Sequence, residues 1–353
     1  MTLKLWLEIA KEQNATDLHI CSGSPPLLRV NGTLAEIPGV ARILPETVAE
    51  ISEAILKPKQ RARLDDELVL DFSFSVPGMG RYRANIYSQR STYALAIRML
   101  PFEIPVLHNL GLPASVYEFT KKTKGLFLIT GATGSGKSTT LAALINEINE
   151  HNRYHIITIE DPIEYLHRHK QSLVTQREVG EDTSTFSQAL RSALRQDPDV
   201  VMVGEMRDKE TISIAMTAAE TGHQVFSTLH TIGAAKSIDR IVDAFGIDQH
   251  QQVRFQLAAV LEGVISQQLL PRIDKKGLVT ASEVMIVTPA IRNLIREGKH
   301  YQINNVLQTG KSAGMQILEA DLARLIKENK VDRDEAFFRA QDTQLLTQYI
   351  TRK

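Results

Sequence analysis

The sequence predicts a mostly parallel α/β domain preceded by a small α+β domain. Three observations carry this: a length of 353 residues, short alternating strands before residue 100, and apolar strand runs alternating with helices after residue 113. We place the first domain at 1–100, a linker at 101–113 and the second domain at 114–353.

Leu3, Trp6, Leu7 and Ala10 fall on one helical face, with Lys4, Glu8 and Lys11 on the others, so the chain opens with an amphipathic helix. Leu27 to Val30 and Thr33 to Ile37 flank Asn31-Gly32, a pair suited to the positive φ angles of a two-residue hairpin turn. A helix near Glu46 to Leu56 follows. Leu70, Phe72, Phe74 and Val76 then alternate with polar neighbours until Pro77-Gly78-Met79-Gly80 breaks the run. Strands near Arg81 to Tyr87 and Thr92 to Met99 complete an antiparallel sheet. The segment from Pro101 to Pro113 holds three prolines and has no clean period, which reads as a linker.

Beyond it, Leu126 to Thr130, Ile156 to Ile159, Val200 to Val203 and Val225 to Leu229 are short apolar runs separated by helical stretches. That grammar specifies parallel strands buried on both faces. From about Asp248 onward helices dominate, apart from a strand near Ser282 to Val287.

Composition narrows the function classes. Lysine plus arginine equals aspartate plus glutamate, 41 against 41, so no global field draws the chain to nucleic acid or to an anionic membrane. Cys21 is the only cysteine, which excludes an intramolecular disulfide and any zinc site of several thiolates, and fits a reducing cytoplasm. The N-terminus lacks a signal-peptide core, and no apolar run is long enough to span a bilayer.

The strongest chemical signal is Gly131-Ala132-Thr133-Gly134-Ser135-Gly136-Lys137-Ser138, followed by Thr139. It has the full P-loop spacing and lies between a predicted strand and a predicted helix. Its glycines let backbone N–H groups curl around phosphate at a helix N-terminus; Lys137 neutralises β/γ charge and Ser138 is placed to hold Mg2+. These residues point to ATP and Mg2+ as ligand and cofactor. Val200-Val-Met-Val-Gly204-Glu205 puts a carboxylate at a strand end, where Glu205 is the candidate for polarising an attacking water. Gly204 stands where the usual Mg-associated aspartate would be. Glu160-Asp161-Pro162-Ile163-Glu164 and Ser227-Thr228-Leu229-His230 end two further strands; Glu160 and Glu164 are candidate Mg2+ contacts, and Glu164 and His230 candidate catalytic groups.

Two weaker patterns are set aside. Asn329-Lys-Val-Asp332 fits a guanine-reading motif but follows an amphipathic helix at Leu318 to Glu328 instead of a core strand. His167 and His169 have no nearby Cys or His partner that would complete a metal site.

With these residues in hand, the chain resembles the type IV pilus retraction ATPases, the PilT family, within the secretion ATPase superfamily. Thr16-Asp-Leu-His-Ile and Arg29-Val-Asn-Gly look like the family's N-terminal domain. Gly131 to Ser138 is similar to its Walker A, Ile159 to Glu164 to its aspartate box, Val203-Gly204-Glu205 to its atypical Walker B, and Ser227 to His230 to its histidine box. Ala290-Ile291-Arg292-Asn293-Leu294-Ile295-Arg296-Glu297 resembles a signature of retraction motors. Extension and secretion relatives usually carry a tetracysteine zinc element, which a chain with one cysteine lacks.

The resemblance implies a PAS-like N-terminal domain and a RecA-like motor domain, assembled as a homo-hexamer with ATP at subunit boundaries. It implies retraction of the pilus through an inner-membrane platform protein, and indirectly pilin, at the cytoplasmic face of the inner membrane; the zero net charge argues against nucleic acid as a partner. It makes Arg81, Arg83 and Arg98 candidates to reach nucleotide in a neighbouring subunit. The alternatives are a pilus extension or type II secretion motor, and a nucleotide-gated switch or scaffold. For the 290–297 helix the expectation is that Arg292 and Arg296 are exposed.

Overall fold

The structure, a computed structural model, describes residues 2–101 and 103–351. Phe102, in the predicted linker, and the chain ends at Met1, Arg352 and Lys353 lie outside the described residues. The chain forms two compact units: residues 1–103 with 164–166, and residues 104–163 with 167–353. The boundary thus falls inside the predicted linker. Residues 104–113 of it belong to the second unit, where Leu107 is buried in the core.

In the first unit the helix Thr2–Glu12 buries Trp6, Leu7 and Ala10, the apolar stripe legible in the sequence. The strands are β1 (Asp17–Cys21), β2 (Leu27–Val30), β3 (Thr33–Glu36), β4 (Val69–Val76), β5 (Gly80–Gln89) and β6 (Thr92–Met99). They form an antiparallel sheet in the order β3-β2-β1-β6-β5-β4. Asn31 and Gly32 take φ of 50° and 83°, as a two-residue hairpin between β2 and β3 requires. Sequence reasoning missed β1, which joins the β2–β3 hairpin to the β4–β6 meander, and the helix Pro58–Glu67.

In the second unit the strands are β7 (Gly125–Thr130), β8 (His155–Glu160), β9 (Leu173–Glu178), β10 (Val200–Val203), β11 (Gln224–Leu229), β12 (Leu261–Pro271) and β13 (Leu278–Ile286). The order is β13-β12-β7-β11-β10-β8-β9; every pair is parallel except β12 with β13. Buried positions of β7, β8, β10 and β11 alternate between two apolar layers. Phe127, Ile129, Val200 and Phe226 pack with the helix Lys137–His151, while Leu128, Val201, Val203 and Val225 pack with the helices at 186–193, 209–220, 234–242 and 250–260. Burial on both faces explains why these strands read as continuous apolar runs.

One expectation for the C-terminal third is corrected. Helices do dominate after Asp248, but β12, an eleven-residue strand paired along its length, is not legible in the sequence, and β13 starts at Leu278, earlier than read from it. Leu261-Glu-Gly-Val-Ile follows the helix His250–Val260 without a turn residue, so periodicity alone gives no boundary. Asn329 to Asp332 does follow a helix, Leu318–Lys327.

Candidate functional site

Parallel pairing brings the C-terminal ends of β7, β11, β10 and β8 to one edge of the second sheet. Each of these ends carries one of the motifs.

β7 delivers the P-loop. Gly131, with φ of 144°, has no room for a side chain, because a Cβ there would lie 2.4 Å from the Gln267 carbonyl oxygen and 2.4 Å from Ser135 Oγ. Gly134 and Gly136 take φ of 79° and 87°, the left-handed conformation that lets the loop close onto its helix. The helix begins at Lys137, and its Nζ donates to the carbonyls of Gly131 and Ala132, each at 2.9 Å. Ser135 is buried and its Oγ has no hydrogen-bond partner within the protein, which leaves a polar group available to a ligand. Ala132, Thr133 and Ser138 are exposed, and Thr139 is half-buried. A cradle of glycines, an ammonium and a helix N-terminus fits a phosphate-bearing nucleotide.

β10 delivers Glu205 and β11 delivers His230. His230 Nε2 is 3.4 Å from Glu205 Oε2, and Arg207 Nε lies 2.6 Å from that same oxygen. The Glu205 side chain is 12% exposed, against 48% for His230 and 72% for Arg207, so the carboxylate sits in a recess with its two partners nearer solvent. Gly204 has a local reason. A Cβ there would stand 3.2 Å from the Ile159 carbonyl oxygen, to which the Gly204 N–H is bonded at 2.8 Å, so the spacing to β8 favours glycine. Thr228 Oγ1 donates to the Gly204 carbonyl and Ser227 Oγ to that of Val203, fastening the β10 and β11 ends together.

β8 ends in Glu160, which is buried. Its Oε1 accepts from Thr158 Oγ1 at 2.6 Å and from Gln176 Nε2 at 3.0 Å. Glu164 is exposed and lies in the segment 164–166 that groups with the first unit. Glu205 and His230 are therefore in contact, the P-loop shares their edge, and Glu164 belongs to the other compact unit. Ser138, Glu160 and Glu205 carry oxygen donors of the kind that suits a hard cation such as Mg2+, but among the described residues Glu160, Glu164 and Glu205 do not come together as a metal-binding group.

Sequence reasoning missed three groups here. Arg207 stands two residues after Glu205, a signal available but unused. Gln267 on β12 is buried; its carbonyl crowds Gly131, and its Nε2 donates to Thr140 Oγ1 in the P-loop helix at 2.9 Å. Its neighbour Ser266 accepts from the Gly233 N–H, just past His230, at 2.9 Å.

In the first unit, register alignment places Arg29, Asp17, Arg98 and Arg83 in one row across β2, β1, β6 and β5. Arg98 Nε pairs with Asp17 Oδ1 at 3.0 Å. Arg83 is exposed directly opposite Arg98, a like-charge cross-strand pair that is unfavourable unless an anion meets it. Arg81, two residues before Arg83, lies on the same sheet face.

The helix Pro289–Arg296 buries Ile291 and Ile295 and leaves Leu294 partly covered, while Ala290, Asn293, Arg296 and Glu297 are exposed. The expectation that Arg292 is exposed is corrected. Its guanidinium donates to the carbonyls of Ala258 and Ala259 at 2.6 and 3.0 Å and pairs with Glu262, so it caps the end of the helix His250–Val260.

Comparison with known proteins places residues 103–351 in the family described as type II/IV secretion system protein. The chain is 47% identical over 330 residues, 94% of its length and 95% of the relative's, to the type IV pilus retraction ATPase PilT of Pseudomonas aeruginosa. It is 45% identical over 322 residues to a twitching motility protein of Neisseria gonorrhoeae, covering 91% of this chain and 86% of the relative. A crystal structure of the pilus retraction motor PilT with bound ADP superposes with a TM-score of 0.91 at 47% identity, over 97% of this chain and 98% of that one.

Proposed function

We propose, since this chain belongs to the type II/IV secretion system protein family, that it is an ATP-hydrolysing motor powering type IV pilus retraction and twitching motility. The observation that carries this reading is the match over 94% of the chain to a protein named as a retraction ATPase. The geometry supplies the chemistry.

ATP phosphates enter the P-loop, where backbone N–H groups, Lys137 and the N-terminus of the 137–151 helix receive them. Ser138 would hold Mg2+, with Glu160 and Glu205 as further oxygen donors, and the ion would supply charge neutralisation at the phosphate oxygens. Glu205 orients and polarises the attacking water. Arg207 and His230 stand beside Glu205 Oε2, and His230 senses the terminal phosphate from the neighbouring strand end.

The active form in this reading is a homo-hexameric ring in which Arg81, Arg83 and Arg98 reach nucleotide bound to an adjacent subunit. Their support is the row of arginines across the first sheet, more cationic than Asp17 alone neutralises. Closure about the 101–113 segment on nucleotide binding, and reopening on release, would deform the ring and drive an inner-membrane platform protein that returns pilin to the bilayer. No helix among the described residues is long and apolar enough to cross a membrane, which is consistent with peripheral docking at the cytoplasmic face.

The test is expression in a type IV piliated bacterium lacking its own retraction ATPase, beside the Glu205→Gln variant, scoring surface pili and twitching together. Restored twitching with fewer surface pili, dependent on Glu205, is the expected result. An increase in surface pili through added assembly would replace retraction with extension.

A further inference from the structure

The helix Ala234–Val242, which follows the His230 loop, has no cap of its own. Gly233 occupies the N-cap position with φ of 98° and offers no side chain. Its first amides are satisfied from two other strands: the Gly233 N–H donates to Ser266 Oγ at 2.9 Å, and the Ala234 N–H donates to Glu283 Oε1 at 2.7 Å. Ser266 on β12 and Glu283 on β13 are register partners, so their side chains emerge side by side from one sheet face. Both are buried. Ser237 Oγ returns to the Gly233 carbonyl at 2.8 Å and lies 2.7 Å from Thr231 Oγ1, closing the turn.

A carboxylate is a costly choice for this task. Glutamine would accept the same bond without bringing a charge out of water. The cost is compounded by Glu319, also buried, which accepts from the Gln341 and Asp342 N–H groups at 3.0 Å each; burial, and then the Glu319 charge, push Glu283 up to about 7. What a carboxylate adds over an amide is a stronger bond to the N–H and attraction to the positive end of the helix. A Cβ on Gly233 would meet the Gln341 side-chain amide at 3.6 Å and Glu283 Oε1 at 3.8 Å, ordinary contacts, so it is the φ of 98° and not space that favours glycine there. The amides at the start of the turn beyond His230 are therefore held by β12 and β13.

We infer that Glu283, seconded by Ser266, is a positioning residue for ATP hydrolysis that holds the 231–234 turn and thereby sets His230 against Glu205. This rests on the reading of His230 given above. Neither residue touches the reacting atoms; both act through the turn.

The experiment measures steady-state ATP hydrolysis by the full chain and amide hydrogen exchange across residues 231–236. It compares wild type with Glu283→Leu, Glu283→Gln, Ser266→Ala, His230→Ala and the Glu283→Leu/His230→Ala double variant. Glu283→Leu is expected to lower kcat about tenfold to a hundredfold with KM unchanged, as a small misplacement of a catalytic group does, and to speed exchange in the turn. Glu283→Gln, which keeps an acceptor, recovers most of both. In the His230→Ala background the Glu283→Leu change adds little further loss. Wild-type kcat in folded Glu283→Leu, or fully additive losses in the double variant, would overturn the inference. If Glu283→Leu does not fold, Ser266→Ala decides: lower kcat at unchanged KM supports positioning, and unchanged kcat sinks it. If His230→Ala alone hydrolyses at the wild-type rate, the reading of His230 fails, and exchange then decides whether the cap exists: faster exchange in Glu283→Leu retains it, and unchanged exchange removes it.

Discussion

His230 Nε2 and Arg207 Nε both address one oxygen of Glu205, Oε2, at 3.4 and 2.6 Å. Neither contact has hydrogen-bond geometry, so among the described residues Oε2 is a buried acceptor that no protein donor satisfies. The pairing ties β10 to β11 at the edge that also carries the P-loop.

Replacing Glu205 by glutamine preserves shape but removes the charge that polarises water. ATP turnover is expected to fall by about 10²–10⁴-fold, the usual contribution of a positioned acid or base, while nucleotide affinity stays within a few-fold. Phosphate-release kinetics paired with a nucleotide titration measures both. Turnover at the wild-type rate would remove Glu205 from the mechanism.

Gly204 invites the opposite experiment, restoring the aspartate that a standard Walker B would have. Any Cβ at this position sits 3.2 Å from the Ile159 carbonyl, so Gly204→Ala and Gly204→Asp should each cost about 1–3 kcal/mol through overpacking. Neither should raise kcat. Chemical denaturation curves test the stability claim; a Gly204→Ala protein as stable as wild type would show that β8 and β10 can part without cost.

Arg292 and Arg296 sit in one short helix but differ in what they touch. Arg292→Ala strips the cap from Ala258 and Ala259 and leaves Glu262 without that partner, so a loss of about 1–3 kcal/mol of stability is expected, together with retraction. Arg296 is exposed, and its one side-chain hydrogen bond is a long contact to Asn293, so Arg296→Ala should leave the melting temperature and ATPase rate nearly unchanged while impairing twitching. Equal loss of stability in both variants would contradict the assignment.

His167 carries a pH signature. Burial, with Lys170 adding to it, pushes this imidazole down to about 4 from an ordinary 6.5. The folded state keeps it neutral in that interval, whereas the unfolded chain takes up a proton, so stability falls as pH drops from 6.5 toward 4. His167→Asn should flatten that part of the profile. Urea midpoints at pH 7.5 and pH 5 for the two proteins give the comparison, and identical pH slopes would refute it.

How much of this was legible beforehand depended on how local the signal was. The P-loop was readable because its glycines, lysine and flanking strand lie within one short stretch of chain and their spacing is fixed by backbone geometry. The alternation in β4 and the Asn31-Gly32 turn were local in the same sense. β12 escaped because an apolar run continuing a helix without a turn residue has no period to distinguish it, and with it went Ser266 and Gln267, whose roles exist only through strand pairing. Arg292 was misjudged because helical spacing shows which face a residue occupies, not that a neighbouring helix ends within its reach. The arginine row of the first sheet likewise appears only once β1, β5 and β6 are in register.

On β12, Ser266 faces the turn beyond His230 while the adjacent Gln267 faces the P-loop helix. Two motifs more than ninety residues apart in the chain thus read their placement from consecutive positions of a third segment. A strand repeats every two residues, so one residue deleted between Leu261 and Ser266 would bring Gln267 to the turn and Gln268 to Thr140, and one inserted would bring Ile265 to the turn and Ser266 to Thr140. Point changes there are graded in effect, but frame changes are all-or-none. Differences in length among working versions of this motor should therefore accumulate in the 272–277 turn beyond the strand and stay out of β12 itself.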